Sequence, residues 1–193
     1  MLAAILSDHR EPRGMLFDLP HVVRDAPPLI KARGLSERIA IEAGNFFESV
    51  PVADGAYLLS HIIHDWGEAQ CLTILSNCRR AMNANSRLLI IEMVLPSGNT
   101  PHPGKMLDMI MLTAAPGGQE RIESEYCELL EKAGFRLTRV VPTQSATSIV
   151  EALPTKCVNV SSSTTAQLPG RSDGCAARQT RRCAPRPARR AAS

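Results

Sequence analysis

Two histidines near the end of one apolar segment are the first candidates for acid–base chemistry. Residues 56–63 have the apolar pattern of a buried strand, and His64 follows where such a strand would present a side chain to a ligand. An imidazole titrates near pH ~6.5, so at neutral pH it can accept a proton from a hydroxyl group. His61 is interpreted instead as a core or helix-facing residue. The sequence therefore predicts that His64 is a general base.

The two residues after His64 each have a structural interpretation. Asp65 and Glu68 have the spacing of a capping box, which favours Asp65 as the N-cap of the next helix. Trp66 is either a packing anchor or an aromatic wall of the pocket.

Three carboxylates are candidate partners for these groups or for a ligand. Asp18 ends a short strand, where it either accepts the hydroxyls of a ribose or satisfies free amides at a helix start. Glu92 interrupts an apolar run, and a buried carboxylate needs a partner such as a histidine from the neighbouring strand. Glu120 is a second candidate, although beside Arg121 it also has the form of a surface ion pair.

Other chemistries lack their sequence signals. The chain has no Walker loop, no GxGxxG and no Ser/His/Asp arrangement, and none of its six cysteines forms a CxxC or a Cys/His cluster. No metal site is predicted. The apolar stretch 105–115 contains Met106, Met109 and Met111, which are expected to fill the core.

The elements that must position these residues alternate between strand and helix. Strands are predicted at 15–18, 39–43, 56–63, 87–95, 135–141 and 147–151, and the helical stripes lie around 71–82 and 122–133. Runs that are apolar on both faces are typical of parallel strands covered by helices. The predicted fold class is α/β with a doubly wound, mostly parallel sheet.

Charge divides the chain near residue 153. Residues 154–193 carry seven Arg and one Lys against one Asp, a net charge of +7, which leaves −4 for residues 1–153 of the overall +3. All seven aromatic residues also precede residue 154. We therefore predict a folded domain over 1–153 and a disordered basic tail over 154–193.

Two partner classes are not supported by the composition. The chain has no apolar run of about eighteen residues and no signal-peptide pattern, which predicts a cytoplasmic protein without a membrane partner. The basic tail contains no aromatic residue to stack on bases, so no specific nucleic-acid binding is predicted.

Four short segments, taken in order, resemble a known family. They are FDLPHV at 17–22, GNFF at 44–47, HDW at 64–66 and PGGQER at 116–121. The set resembles the S-adenosylmethionine-dependent O-methyltransferases of the plant caffeic-acid and bacterial polyketide type, over about residues 2–152. The resemblance implies a class I methyltransferase Rossmann-like fold, S-adenosylmethionine as cofactor, a small hydroxylated aromatic substrate and no metal. For a chain of the family's full length, the resemblance also implies a homodimer.

The resemblance also implies a mechanism. His64 would deprotonate the acceptor hydroxyl as that oxygen attacks the methyl group of the donor, and Glu92 and Glu120 would hold the imidazole in position. Positioned removal of a proton is typically worth about 10²–10⁴-fold in rate.

Binding roles are implied for five further residues. Asp18 would bind the donor's ribose, and Asn45 and Phe46 would bind its adenine. Met111 would contact the acceptor ring, with Trp66 as the second residue assigned to substrate binding.

One part of the family pattern is expected to be absent. The glycine-rich donor loop, the strand before it and an amino-terminal helical domain would precede Leu2. Because that strand lies between the strand ending at Asp18 and the strand before His64, two inner sheet edges are expected to lack a partner. The alternative function is a non-catalytic remnant or interaction module that keeps the fold without donor binding. A nicotinamide-binding enzyme using Asp18 is disfavoured because no glycine fingerprint precedes its strand.

Overall fold

A computed structural model of the chain describes residues 1–155, in which helices and strands alternate. In chain order the elements are α1 (Leu2–Asp8), β1 (Gly14–Asp18), α2 (Pro20–Val23), α3 (Ala26–Ala32), β2 (Ile39–Ala43), β3 (Ala56–Ser60), a 3₁₀ turn (Ile63–Asp65), α4 (Glu68–Ala81), β4 (Arg87–Glu92), β5 (Val94–Leu95), α5 (Gly104–Ala114), β6 (Arg121–Ile122), α6 (Glu123–Lys132), β7 (Phe135–Pro142) and β8 (Ser148–Pro154). The tail predicted at 154–193 lies, from residue 156 onwards, outside the described residues.

The strands pair in three separate ladders within residues 1–155. Strands β1 and β2 are parallel partners, and β5 pairs in parallel with β6. The largest sheet has the order β3-β4-β8-β7, with β3 parallel to β4 and both pairings of β8 antiparallel. The predicted α/β class is confirmed, and the strands form a mixed arrangement in which three of the five described pairings are parallel and two are antiparallel.

The sheet is interrupted where the sequence predicted it would be. Within the described residues, β1 hydrogen-bonds to β2 alone and β3 to β4 alone. The strand that ends at Asp18 and the strand before His64 therefore each keep one edge without a strand partner.

The core follows the same division. The larger cluster of buried apolar side chains joins α4 and α6 to the four-stranded sheet, and it includes Leu75, Leu88, Leu130 and Phe135. A smaller cluster lies against β1 and β2 and contains Leu6, Ile30, Leu35 and Ile39.

Helix ends agree with the local sequence signals. Pro20 occupies the first turn of α2, where its missing N–H costs nothing. Gly134 ends α6 at φ +82°, a conformation that strains any residue with a Cβ. At the other end of α6, Glu125 Oε2 accepts a hydrogen bond from the Ile122 amide at 2.8 Å.

Helix α5 differs from its prediction. We expected its methionines to fill the core, but Met106 is 69% exposed and Met109 is 62% exposed. The prediction was wrong because an all-round apolar helix needs neighbours on every side, and α5 buries only Gly104 fully among the described residues.

No described helix has the length and apolar content needed to cross a bilayer.

Candidate active site

The chain leaves β3 earlier than predicted, and this exit shapes the site. The strand was expected to reach residue 63, but it ends at Ser60, and His61 adopts φ +52°, the one positive φ of a non-glycine residue in the described chain. A single left-handed residue turns the backbone sharply. Residues Ile63–Asp65 then form one turn of 3₁₀ helix that carries His64.

His61 is not the core residue that was predicted. It is exposed, and its ring centroid lies 5.4 Å from that of His64. The amide of His61 still donates to the carbonyl oxygen of Ile91 at 3.2 Å, but the left-handed backbone takes the residue out of the extended conformation of β3, and its side chain is exposed.

The imidazole of His64 is buried between two carboxylates. Nδ1 lies 2.7 Å from Oε1 of Glu120, and Nε2 lies 3.4 Å from Oδ1 of Asp65. The shorter contact is a hydrogen bond, so the proton of the neutral ring is assigned to Nδ1. The lone pair on Nε2 is then available to accept a proton.

The surrounding carboxylates raise the pKa of His64 above its usual value. The hydrogen bond to Glu120 is the largest cause, burial opposes it, and the negative charges of Glu92, Glu120 and Asp65 add to the rise. The site therefore favours the imidazolium that forms when His64 takes a proton.

A tight loop before β6 brings Glu120 to the ring. The amide of Gln119 donates to the carbonyl oxygen of His64 at 2.9 Å, and the amide of Glu120 donates to Oδ1 of Asp108 at 2.8 Å. A Cβ on Gly118 would lie 3.0 Å from the same His64 oxygen, so glycine permits the close approach. Oε2 of Glu120 is buried and accepts no hydrogen bond within the described residues.

Glu92 holds the backbone of the turn rather than the ring. It is the last residue of β4 and fully buried, and its Oε1 accepts hydrogen bonds from the amides of Ile62, Ile63 and His64 at 3.1, 2.6 and 3.2 Å. Oε2 accepts a short hydrogen bond from the hydroxyl of Tyr126. Burial raises the pKa of Glu92 above its usual value, and these donors oppose the rise.

Arg121 is buried and does not form the surface ion pair with Glu120 that its sequence position allowed. Its guanidinium donates to the carbonyl oxygens of Ile63 and Trp66, each at 3.0 Å. Glu120 turns instead to His64. Both side chains are buried because β6 lies beside the turn and not at the surface.

Asp65 is not the helix cap that its spacing predicted. The N-cap of α4 is Gly67, without a side-chain cap, and Asp65 ends the 3₁₀ turn. The inserted turn moves the carboxylate away from the helix and towards Nε2 of His64.

Asp18 lies at the carboxyl end of β1, as predicted. Its Oδ1 accepts a hydrogen bond from the next amide, Leu19, at 2.7 Å. Oδ2 takes no hydrogen bond within residues 1–155, so it can accept one from a ligand hydroxyl. No hydrogen bond in the described chain links Asp18 to the His64 group.

The segment after β2 forms an aromatic cluster with Trp66. Phe47 and Trp66 pack edge to face with centroids 4.8 Å apart, and Phe46 lies 6.5 Å from Trp66. Asn45 accepts from the Phe47 amide at 3.0 Å and donates to Glu48 at 3.1 Å, which fixes the turn. This packing agrees with the first of the two roles predicted for Trp66, that of a packing anchor.

Met111 is half-buried on α5, three residues beyond Asp108, whose carboxylate binds the Glu120 amide. Residues three apart share a helix face, so Met111 lies on the same face of α5 as Asp108. Residues 1–155 contain no group of three His, Cys, Asp or Glu side chains arranged to hold a metal ion.

Two residues of this group carried no functional interpretation in the sequence. Tyr126 fits a helical apolar stripe, and Arg121 follows an acidic residue, which is a common surface pattern. For Tyr126, one general rule could have indicated a partner, because the hydroxyl of a fully buried tyrosine needs a hydrogen-bond acceptor.

Comparisons with known proteins agree with this architecture. The family model described as "O-methyltransferase domain" matches residues 1–136. The phenazine O-methyltransferase PhzM of Lysobacter antibioticus is 46% identical over 154 residues, which are 80% of this chain and 45% of that protein. The caffeic acid 3-O-methyltransferase of Zea mays is 42% identical over 138 residues, covering 69% of this chain and 36% of that protein.

A solved structure shares the fold. The O-methyltransferase NcsB1 from neocarzinostatin biosynthesis, in complex with S-adenosylmethionine and 2-hydroxy-5-methyl naphthoic acid, superposes with a TM-score of 0.71 at 33% identity. The match covers 79% of this chain and 45% of that one. The chain thus spans about half the length of the relatives that it matches.

Proposed function

This chain belongs to the O-methyltransferase domain family, and from that premise we propose that it transfers a methyl group from S-adenosylmethionine to a hydroxyl of a small aromatic acceptor. The relatives have names that specify such reactions on phenazine and caffeic acid, and the NcsB1 complex contains a hydroxylated naphthoic acid. Those substrates belong to those proteins, and we assign only the class, a hydroxylated aromatic, to this one.

The hydrogen bond between Nδ1 of His64 and Glu120 is the observation that carries the proposal. It leaves Nε2 as the proton acceptor and stabilises the positive charge that appears there. An acceptor phenol has a pKa of about 10, so it is mostly protonated at neutral pH. The reaction therefore needs a base that removes this proton as the oxygen attacks. We assign His64 as the general base and Glu120 as the residue that orients it.

S-adenosylmethionine, when bound, supplies a methyl group on a positively charged sulfur. Oδ2 of Asp18 is free to accept hydrogen bonds from the ribose hydroxyls, and an acidic side chain at a strand end suits that contact. Asn45 and Phe46 are proposed to contact the adenine, because they lie at the end of the neighbouring parallel strand β2. Alignment of donor and acceptor supplies much of the remaining rate enhancement.

The acceptor ring is proposed to contact Met111 and Trp66. Met111 lies on the helix that anchors the Glu120 loop, and Trp66 follows His64 by two residues. Both side chains are partly exposed, which leaves apolar surface available beside the base.

Assembly and location are also proposals. We propose a cytoplasmic protein and, in a chain of family length, a homodimer. The exposed apolar side chains of Met106 and Met109 on α5 are surface that an assembly could cover. Light scattering on the purified chain reports its oligomeric state directly.

Methyl transfer is tested on the 193-residue chain with S-adenosylmethionine and either 2-hydroxy-5-methyl naphthoic acid or caffeic acid, with mass spectrometry of the product. Substituting His64→Ala should reduce the rate by about 10²–10⁴-fold while donor affinity, measured by calorimetry, stays nearly unchanged. The control is His9→Ala, an exposed histidine after α1. Equal rates for both variants would contradict the assigned base.

Donor titration separates the proposal from its alternative. A chain that keeps the fold as a non-catalytic module should give no heat with millimolar S-adenosylmethionine. Measurable, saturable heat that Asp18→Ala abolishes would support the enzyme.

A further inference from the structure

The 3₁₀ turn that carries His64 is held at its amide side by one buried carboxylate. Oε1 of Glu92 accepts from three consecutive amides, those of Ile62, Ile63 and His64. A turn this short leaves its first amides without internal partners, and a carboxylate satisfies them with charge-assisted bonds. The position of the His64 backbone therefore depends on the position of the Glu92 carboxylate.

The carbonyl side of the same turn is held by a buried guanidinium. Arg121 donates from Nη1 to the oxygen of Ile63 and from Nη2 to the oxygen of Trp66, one residue before and two after His64. Because the guanidinium is planar and its donors are fixed in a fork, it also fixes the separation of the two carbonyls. The turn is therefore held at its amide groups by Glu92 and at its carbonyl groups by Arg121.

Tyr126 completes the arrangement from α6. Its hydroxyl donates to Oε2 of Glu92, and both side chains have no exposed surface. Taking a carboxylate out of water is costly, and a donor on its second oxygen offsets part of that cost. The tyrosine also selects one orientation of the carboxylate, because Oε1 can meet the three amides only when Oε2 faces α6.

Buried ionic groups are often neutral or unfavourable for stability compared with apolar side chains of similar volume, so their presence here is weak evidence of a stabilising role. Here two buried ionic side chains and one buried hydroxyl converge on a single turn. That turn begins two residues after His61, the left-handed residue, whose strained backbone needs its surroundings to keep it in place.

We propose that Tyr126 and Arg121 are positioning residues for His64. Tyr126 acts by orienting the Glu92 carboxylate, and Arg121 acts by donating hydrogen bonds to the carbonyl oxygens of the turn. This inference rests on the proposed role of His64 as the base. Its consequence is that the imidazole loses its fixed position when either residue changes, although neither touches the ring in any described hydrogen bond.

The charged and titratable groups around the ring determine what a titration will report. They come from the turn and its flanks, α4, β4, the loop before β6, β6 itself and α6, and are His61, Asp65, Cys71, Glu92, Glu120, Arg121 and Tyr126. Of these, only Glu92 is bound by the Tyr126 hydroxyl.

The first test compares Tyr126→Phe with Tyr57→Phe in the whole chain. The two tyrosines are the only ones in the sequence, and the partly buried Tyr57 hydroxyl also meets backbone groups, since it accepts from the Ala53 amide and lies within hydrogen-bond distance of the Ala81 carbonyl oxygen. Both variants lose one hydroxyl and should lose comparable stability. Only Tyr126→Phe should accelerate exchange of the Ile63 and His64 amides, by about tenfold or more, as measured by NMR.

The same samples provide a second measurement, the pKa of the His64 ring. Without its hydroxyl donor, Glu92 is protonated at higher pH, so its charge supports the imidazolium less. The His64 pKa should fall by about half a pH unit in Tyr126→Phe and stay constant in Tyr57→Phe. Amide exchange and His64 titration that match the control in Tyr126→Phe would overturn the role of Tyr126.

Arg121→Lys tests the other side of the turn. A lysine keeps the charge but loses the fork, so it cannot hold both carbonyls. The matched control is Arg79→Lys, because Arg79 also donates to two backbone oxygens, those of Gly134 and Thr155. Faster His64 amide exchange in Arg121→Lys alone supports the proposal, and equal exchange in both variants contradicts it.

These measurements need no turnover. A chain that fails to methylate any acceptor but shows the expected exchange pattern would leave the positioning inference intact and count against the proposed function. A chain that methylates an acceptor, but whose variants match their controls, would support the proposed function and contradict the positioning inference.

Discussion

Oε1 of Glu120 lies 2.7 Å from Nδ1 of His64, and both side chains are buried. Salt and water screen such a pair weakly, so its effect on the imidazole is large. The contact fixes the ring's orientation, assigns its proton to Nδ1, and favours the charged form once Nε2 has taken a second proton.

Replacing Glu120 by glutamine should lower the pKa of His64. The amide keeps the shape and a hydrogen-bond acceptor but removes the negative charge, and the hydrogen bond to Glu120 is the largest cause of the raised pKa. NMR titration of the ring should show a lower His64 pKa in the variant than in the unsubstituted chain.

The control for Glu120→Gln is Glu123→Gln, which removes the same charge from an exposed position at the start of α6. It should leave the His64 titration unchanged. Indistinguishable titrations for the two variants would show that net charge, and not the Nδ1 contact, governs the ring.

Stability should depend on pH through the same pair. The pKa of His64 is higher in the folded chain than in the unfolded chain, so its contribution is fully present below about pH 6.5 and is lost as pH rises through the folded value. Glu120→Gln should therefore lower the free energy of unfolding by about 1–3 kcal/mol near pH 5.5, and by less near pH 9. Urea denaturation at the two pH values measures both differences. A larger loss of unfolding free energy at the higher pH would contradict the predicted direction of the pH dependence.

Asp18→Asn should weaken donor binding by about tenfold, because a neutral amide accepts hydrogen bonds from a ribose less strongly than a carboxylate does. The Leu19 amide keeps an acceptor in the variant, so the local fold should persist. Calorimetry with S-adenosylhomocysteine measures the change. Asp25→Asn, at an exposed residue beside α3, is the control, and equal affinities in both variants would remove Asp18 from the site.

Much of the fold could be predicted from local patterns. Strand β2 has the predicted bounds, and the glycine that ends α6 has the expected left-handed conformation, because both depend on residues close in sequence. The separation of β1 from β3 was predicted from the family resemblance and not from local pattern, because the resemblance places a further strand between them.

The turn at 61–65 was not predictable in the same way. Ile62 and Ile63 continue the apolar pattern of β3, so periodicity extends the strand through them. The strand ends because the amides of Ile62 and Ile63 donate hydrogen bonds to the carboxylate of Glu92, about thirty residues later in the chain. A long-range charged contact overrides local propensity here, and His61 and Asp65 were misassigned for the same reason.

The contacts within the candidate site were predicted only in part. His64 and Glu120 meet as expected, whereas Glu92 reaches the backbone of His64 and not its ring. Sequence spacing indicates which strand ends converge. It does not specify which atom of a neighbour a buried carboxylate will bind.

Gly118→Ala should displace Glu120 from His64 without changing any charged group. A Cβ at this position would lie 2.9 Å from Cβ of Ala115 and 3.0 Å from the carbonyl oxygen of His64, so the loop must move. The hydrogen bond from the Gln119 amide to that oxygen, now 2.9 Å, would lengthen, and the His64 pKa should fall as Glu120 moves away from the ring. Gly34→Ala is the control, because Gly34 has φ +68° and open space around it, so alanine there strains the backbone by about 1 kcal/mol without a clash. Both variants should unfold at lower urea concentrations, but only Gly118→Ala should alter the His64 titration, and an unaltered titration would mean that the loop does not set the Glu120 contact.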